Sequence, residues 1–326
     1  MLKNNIKNIL AVRNDRFGEF LLNIPAFRSL KAGYPGARLT LVVNPAVYEL
    51  AKCIEGVDEI IVWENRKHRL GEILKFIREI KSKKPGFCII FNPSKEFNII
   101  SFLSGIPVRI GYDRKWGFLL THKIKDRKYL GQKHEVEYNL ELAKLSGVDV
   151  KGIGLSLKIN DNIINGLIRD YGLADDSDLI ALHPYTSDTI KQWPMDNFRA
   201  LAKKISLEIK QKVIIVGGKE EASKYAGSFS GLNGVVDMTG KTTLVQLAAL
   251  LKRCRLLISG DSGPVHLASA VGTPVVAIFR NDIPGKSPKR WGPWGRNNIV
   301  IEKSDLLNIT VEEVMGKVRC VITVCS

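Results

Sequence analysis

The chain has 326 residues, 45% hydrophobic and 25% charged, with a formal net charge of +16. This composition excludes a disordered or low-complexity protein and supplies ample material for hydrophobic cores. No segment is long and apolar enough to span a bilayer, and the first residues lead into a short strand rather than a signal peptide. The positive charge favours an anionic partner: nucleic acid, a membrane surface or a phosphorylated substrate. No zinc finger or paired aromatic motif of an RNA-binding sheet is present, so nucleic acid is the least favoured of the three. The five cysteines (Cys53, Cys88, Cys254, Cys320, Cys325) are odd in number and lack zinc-ligand spacing. They predict a reduced cytosolic protein with buried thiols.

In chain order the pattern alternates between strand and helix. Apolar runs predict strands at 6–12, 39–43, 59–63, 87–91 and 108–112. Helical spacing predicts helices over 20–30, 46–53, 70–81, 97–103 and 131–147. The segment 109–133 is densely basic, with Arg114, Lys115, Lys123, Lys125, Arg127 and Lys128 against only Asp113 and Asp126. Trp116, Phe118, Leu119 and Leu120 interleave with these cations. Glycines break the pattern after residue 148, and a domain boundary is expected there. The alternation then restarts, with strands at 179–182, 213–216, 235–236 and 256–258 and helices at 196–209, 220–229, 244–251 and 264–271. A strand at 275–279, a loop at 281–298 and a helix at 311–318 complete the chain. Such alternation predicts α/β architecture, with parallel sheets covered on both faces. Two doubly wound domains are expected, residues 1–155 and 156–326, whose last helix has the option of packing back on the first domain. Ligands of such folds bind beyond the carboxyl ends of the strands.

The residues at those strand ends carry chemistry. After the first strand come Asp15, Gly18 and Glu19; an acid at such a corner is a candidate general base, or else pairs with Arg13 and Arg16 or caps the helix. After 182 come Thr186, Ser187 and Lys191, suited to neutralising a diphosphate; the alternative is a surface loop anchored by Trp193. Glu220 follows Gly217 and Gly218, where it either bonds ribose hydroxyls or opens a helix. Asp261, Ser262 and Gly263 stand where a buried strand turns into a helix whose free N–H groups attract phosphate, with His266 one turn on. A helix cap and a core histidine are the bland alternative. No pair of aspartates is placed for a divalent metal; Asp176, Ser177 and Asp178 read as a solvated loop.

Taken together, Asp15-Arg16-Phe17-Gly18-Glu19 with Pro25-Ala26-Phe27-Arg28, Lys191-Gln192-Trp193-Pro194, Thr239-Gly240-Lys241-Thr242-Thr243-Leu244, Asp261 to Ala268 with Gly272-Thr273-Pro274, and Arg290-Trp291-Gly292-Pro293 resemble the ordered motifs of the bacterial heptosyltransferases, glycosyltransferase family 9. The resemblance spans nearly the whole chain. It implies a GT-B fold, two Rossmann-like domains facing a central cleft, with the donor held by the C-terminal one. It further implies an inverting, metal-independent transfer of heptose from ADP-heptose to the inner core of lipopolysaccharide, with no cofactor beyond the nucleotide sugar. Lys191, Thr186 and Ser187 would meet the donor phosphates, Asp261 the sugar hydroxyls, and Ser262, Gly263 and His266 the diphosphate and sugar. Glu220 and Thr242 would lie on the nucleoside side. The family's catalytic acid is aspartate where this chain has Glu19, so either Glu19 serves with a longer reach, or Asp15 takes over, or the acceptor differs.

From these readings the chain is expected to be a cytoplasmic transferase lying peripherally on the inner membrane surface. Its basic residues Arg114, Lys115, Lys123 and Lys125 would hold an anionic lipid-linked glycan acceptor. The competing expectations are a nucleotide-sugar epimerase of similar fold, a family member with another donor and acceptor, and a non-catalytic nucleotide or nucleic-acid binder.

Overall fold

The computed structural model describes residues 6–150, 154–173 and 179–324, so Asp176, Ser177, Asp178 and Cys325 lie outside the described residues. The chain forms two compact units, Met1–Leu155 and Ser156–Ser326. Each is built on one six-stranded sheet whose strand pairs are all parallel.

The first unit runs β1 (Asn8–Arg13), α1 (Phe17–Leu21), α2 (Ile24–Gly33), β2 (Arg38–Val43), α3 (Tyr48–Ala51), β3 (Glu59–Val62), α4 (Leu70–Ser82), β4 (Phe87–Ile90), α5 (Lys95–Leu103), β5 (Val108–Tyr112), β6 (His122–Ile124) and α6 (Glu135–Lys144). Its strand order is β3-β2-β1-β4-β5-β6. The second runs α7 (Asn165–Asp170), β7 (Leu179–His183), α8 (Met195–Lys204), β8 (Lys212–Ile215), α9 (Lys219–Lys224), β9 (Val235–Asp237), α10 (Leu244–Lys252), β10 (Cys254–Gly260), α11 (Gly263–Val271), β11 (Val275–Arg280), α12 (Pro288–Trp291), β12 (Ile299–Lys303) and α13 (Val311–Val324). Its order is β12-β11-β10-β7-β8-β9, the same winding as the first.

Both orders reverse direction once, between β1 and β4 and between β7 and β10. Because parallel crossovers are right-handed, the helices that follow these two strands leave to opposite faces and open a crevice at the carboxyl ends. The central strands read as unbroken apolar runs because both of their faces are covered: Ile9 to Val12 and Leu256 to Ile258 are at most 3% exposed. The last helix, α13, belongs to the second core, where Val314, Met315, Val318 and Val321 pack with the β7 and β10 side chains.

Several elements differ from the sequence expectation. The helix expected over 20–30 is two helices broken at Leu22 and Asn23. Pro25 cannot donate to the carbonyl four residues back, so the chain restarts with proline in the first turn. The break is held from both sides: the Asn23 amide donates to the Glu19 carbonyl at 2.7 Å, and the buried Asn139 amide of α6 donates to the Leu22 carbonyl at 3.1 Å. The helix expected from 131 starts only at Glu135, set by a capping box of His134 and Glu137. The helix expected to run to 229 stops at Lys224, and Gly227, Gly231 and Gly234 then adopt positive φ. The basic segment conceals an unpredicted strand, β6, and a second, β12, directly follows the late loop. Both lie at sheet edges, where charged residues are tolerated and periodicity fades.

Asn139→Ala leaves the Leu22 carbonyl without this donor in a buried setting. We expect it to lower unfolding free energy by about 1–3 kcal/mol. The urea midpoint should fall with the slope unchanged.

Candidate functional site

In the first unit the reversal point lies beyond β1. Arg13, the last residue of that strand, is 2% exposed, and its Nε donates to Asp15 Oδ1 at 2.6 Å. Its Nη1 lies 3.7 Å from Glu135 Oε1, and Glu135 accepts from Lys128 Nζ at 2.8 Å. Glu19 follows in the first turn of α1, half-buried. Its side chain forms no ion pair among the described residues. Burial, and then the negative charge of Asp15, push the Glu19 carboxyl above the ordinary carboxylate range, while Arg13, the residue's own backbone N–H and Arg16 oppose them. Of the two acids predicted here, Asp15 is committed to Arg13 and Glu19 is left available to a proton.

In the second unit the reversal point lies between β7 and β10. His183 ends β7 and is paired in register with Ser259 of β10. Its Nδ1 lies 3.2 Å from Ser259 Oγ and 3.1 Å from Ser262 Oγ, and the two hydroxyls are 2.8 Å apart. Burial pulls the His183 imidazole down to about 4, so it is neutral near pH 7. Ser262 occupies the N-cap position of α11, yet its hydroxyl is used by this cluster and makes no cap bond. No side chain caps the start of α11; Pro264 has no N–H and the Val265 N–H donates to the Ser262 carbonyl at 3.3 Å, so the Gly263 N–H is the leading donor left to an anion.

Lys191 reaches this point from a 3-10 turn, Thr189–Lys191, that Asp188 caps through the Ile190 N–H. Its Nζ forms an ion pair with Asp261, which is largely buried. Burial raises the Asp261 carboxyl, and Lys191 pulls it back. The turn is anchored by Trp193, 1% exposed, whose indole donates to the Ile309 carbonyl at 2.9 Å. The anchoring role weighed for Trp193 is thus present beside the cation, not instead of it. Thr186 is half-buried and its hydroxyl accepts from the Asp188 N–H; Ser187 is exposed. His266 is buried within α11 at 4% exposure.

The nucleoside-side residues are less tightly built. Glu220 is exposed, and its neighbour Glu221 does the capping, accepting from the Gly218 N–H at 2.9 Å. Thr242 is half-buried ahead of α10, which Thr243 caps. Gly217 is required by packing: a Cβ there would come within 2.6 Å of the Tyr185 ring.

The basic segment divides. Lys123 and Lys125 are exposed, and Arg114 bonds Asp126 at 2.9 Å. Lys115 and Trp116 both hold positive φ, their loop fixed by the Asn98 amide donating to the Lys115 carbonyl at 2.9 Å. Trp116 and Phe118 are 46% and 70% exposed, and Lys95 sits over the Trp116 ring. Lys128, part of the same basic run in the sequence, is buried against Glu135 and the Tyr112 ring. Sequence reasoning missed that pair, and also a groove of about 460 Å³ lined by Arg66, Lys67, His68, Ile73, Lys95 and Ile99. Only the connecting residues 129–134 separate Lys128 from Glu135, with no periodic signal to link them. Among the described residues no cluster of three or more His, Cys, Asp or Glu side chains could hold a metal ion, and no helix is long and apolar enough to cross a membrane.

His183 titrates lower folded than unfolded, so its share of stability is complete above about pH 6.5 and lost as the pH falls toward 4. That share is roughly 3 kcal/mol. His183→Asn should remove it, so the urea-derived stability gap between wild type and variant should narrow between pH 7 and pH 4.

The family profile of glycosyltransferase family 9 (heptosyltransferase) matches residues 73–315. Lipopolysaccharide heptosyltransferase 2 of Salmonella typhimurium is 23% identical over 297 residues, covering 86% of this chain and 84% of that protein. The crystal structure of a family 9 glycosyl transferase from Veillonella parvula superposes with a TM-score of 0.87 at 23% identity, over 97% of both chains. That of the E. coli ADP-heptose lps heptosyltransferase II does so with a TM-score of 0.83 at 20% identity, over 97% of this chain and 98% of that one. The fold they share with this chain is GT-B. With the profile covering most of its length, this chain belongs to glycosyltransferase family 9, and it is a heptosyltransferase-like enzyme.

Proposed function

We propose that the enzyme transfers heptose, or a closely related sugar, with inversion from ADP-heptose to the inner core of lipopolysaccharide, without a metal ion. The observation that carries this reading is the second unit's reversal point. There the Lys191 cation is anchored beside Asp261, next to the uncapped amino end of α11. Two positive elements converge there, as a pyrophosphate leaving group requires, while Asp261 offers a carboxylate to sugar hydroxyls. Names of similar proteins supply the donor and acceptor: the E. coli structure is of an ADP-heptose lps heptosyltransferase.

In the proposed reaction an acceptor hydroxyl loses its proton to the Glu19 carboxylate as its oxygen attacks the anomeric carbon. The bond from that carbon to the β-phosphate oxygen breaks, and its electron pair leaves with ADP. Lys191 and the Gly263 N–H at the amino end of α11 take up the charge that grows on the leaving phosphate. Thr186, Ser187, Ser262 and Gly263 complete the phosphate lining, with Glu220 and Thr242 toward the nucleoside. Glu19 suits the base role because its carboxyl is raised and not committed to an ion pair.

The acceptor side of the proposal rests on charge. Exposed Lys123 and Lys125, with Arg114 and Lys115 beside the exposed rings of Trp116 and Phe118, suit an anionic, lipid-linked glycan at the cytoplasmic face of the inner membrane.

Glu19→Gln should lower kcat by about 100-fold or more. Donor affinity, measured by calorimetry with ADP-heptose, should stay near the wild-type value; equal loss of both would reject Glu19 as the base. Wild-type kcat/KM should rise with pH through a midpoint above the ordinary carboxylate range, since the base works only when ionised. Incubation with ADP-heptose alone should give no isomerised sugar, whereas an epimer formed without acceptor would replace the transferase reading. Sedimentation with anionic vesicles should exceed that with neutral ones and fall when Lys123 and Lys125 are changed to glutamate.

A further inference from the structure

Five charged side chains meet beyond β1: the cations Arg13 and Lys128 and the carboxylates Asp15, Glu19 and Glu135. Four of them, all but Glu19, are linked in series. Lys128 Nζ bonds Glu135 Oε1 at 2.8 Å, Glu135 faces Arg13 Nη1 at 3.7 Å, and Arg13 Nε bonds Asp15 Oδ1 at 2.6 Å. Arg13 and Glu135 are 2% and 1% exposed, and Lys128 is 7% exposed.

The series is poorly designed for stability alone. Arg13 Nη1 is buried with no hydrogen bond, and 3.7 Å to Glu135 is attraction without a bond. Burying charges to this depth costs more than their pairing returns unless the geometry is complete. What the arrangement does supply is a fixed allocation of charge. Glu135 is satisfied by Lys128 and Asp15 by Arg13, so the remaining negative charge falls on Glu19.

We infer that Arg13 is a positioning residue for the transfer: held from behind by Glu135, it locks Asp15 in place by their ion pair and leaves Glu19 as the carboxylate that exchanges a proton. The inference rests on the proposed role of Glu19 as base. The charged groups that act on Glu19 are Asp15, Arg13 and Arg16, with Glu135 and Lys128 behind Arg13. Asp15 resists ionisation of Glu19 and Arg13 favours it, so the two must act in opposite directions. The Arg13 charge is also spent in part on Asp15; removing Asp15 releases it toward Glu19 and adds to the effect.

The test is a direct titration of the Glu19 carboxyl by carbon-13 NMR in the full chain labelled at glutamate, with the resonance assigned by Glu19→Gln. Asp15→Asn should move the midpoint down by about one pH unit or more. Arg13→Gln should move it up by a similar amount, and Arg13→Lys should return it close to wild type. The acid limb of kcat/KM, assayed with ADP-heptose, should follow the same directions. If Asp15→Asn leaves the midpoint in place or raises it, the inference is overturned. Should Arg13→Gln fail to fold, Asp15→Asn decides alone, because Asp15 is the more exposed partner at 27%. Full activity in Glu19→Gln would instead remove the reading beneath the inference, and the titration keeps the two failures apart.

Discussion

A parallel sheet wound right-handedly in both directions from its centre cannot cover the carboxyl ends of its two innermost strands. The helices that follow those strands depart to opposite faces, and the backbone groups at the strand ends and helix starts are left to find partners elsewhere. Both sheets of this enzyme have this order, and its candidate chemistry gathers at the two reversal points. In the first, the partners are charged side chains around Arg13. In the second, they are two serines, a neutral histidine and the Lys191–Asp261 ion pair.

The two points solve the same problem in different ways. Beyond β7 and β10, polar groups are drawn inward: Ser262 gives its hydroxyl to Ser259 and His183, and the amino end of α11 goes without a side-chain cap. Beyond β1, ion pairs are drawn inward, and one carboxylate remains outside the pairing. The first arrangement suits receipt of negative charge, and the second suits receipt of a proton.

Support for these points comes from residues that touch no candidate ligand position. Asn23 and Asn139 fix the short helix that carries Glu19, and Trp193 fixes the turn that carries Lys191. Each is buried and its side chain donates to a backbone carbonyl. Such bonds hold a side chain more rigidly than its own loop could, since the loop brings few apolar contacts of its own.

The strand and helix alternation, the central apolar strands and the positions of the motif residues were all legible in the sequence, because they follow from periodicity and from residue types local to each turn. Val108–Tyr112 matches its apolar run at both ends, and α11 begins one residue before its predicted start. Edge strands β6 and β12 were not legible, because His122-Lys123-Ile124 has no apolar run and the run Ile299-Val300-Ile301 is too short to stand out from its polar surroundings. Nor was the choice between Asp15 and Glu19: both sit near Arg13 in the sequence, and only the fold shows which of them Arg13 holds. The burial of Lys128 against Glu135 beneath Arg13 was likewise decided by tertiary structure alone. Charge pairing over such separations depends on where α6 returns to the sheet, and no local pattern encodes that return.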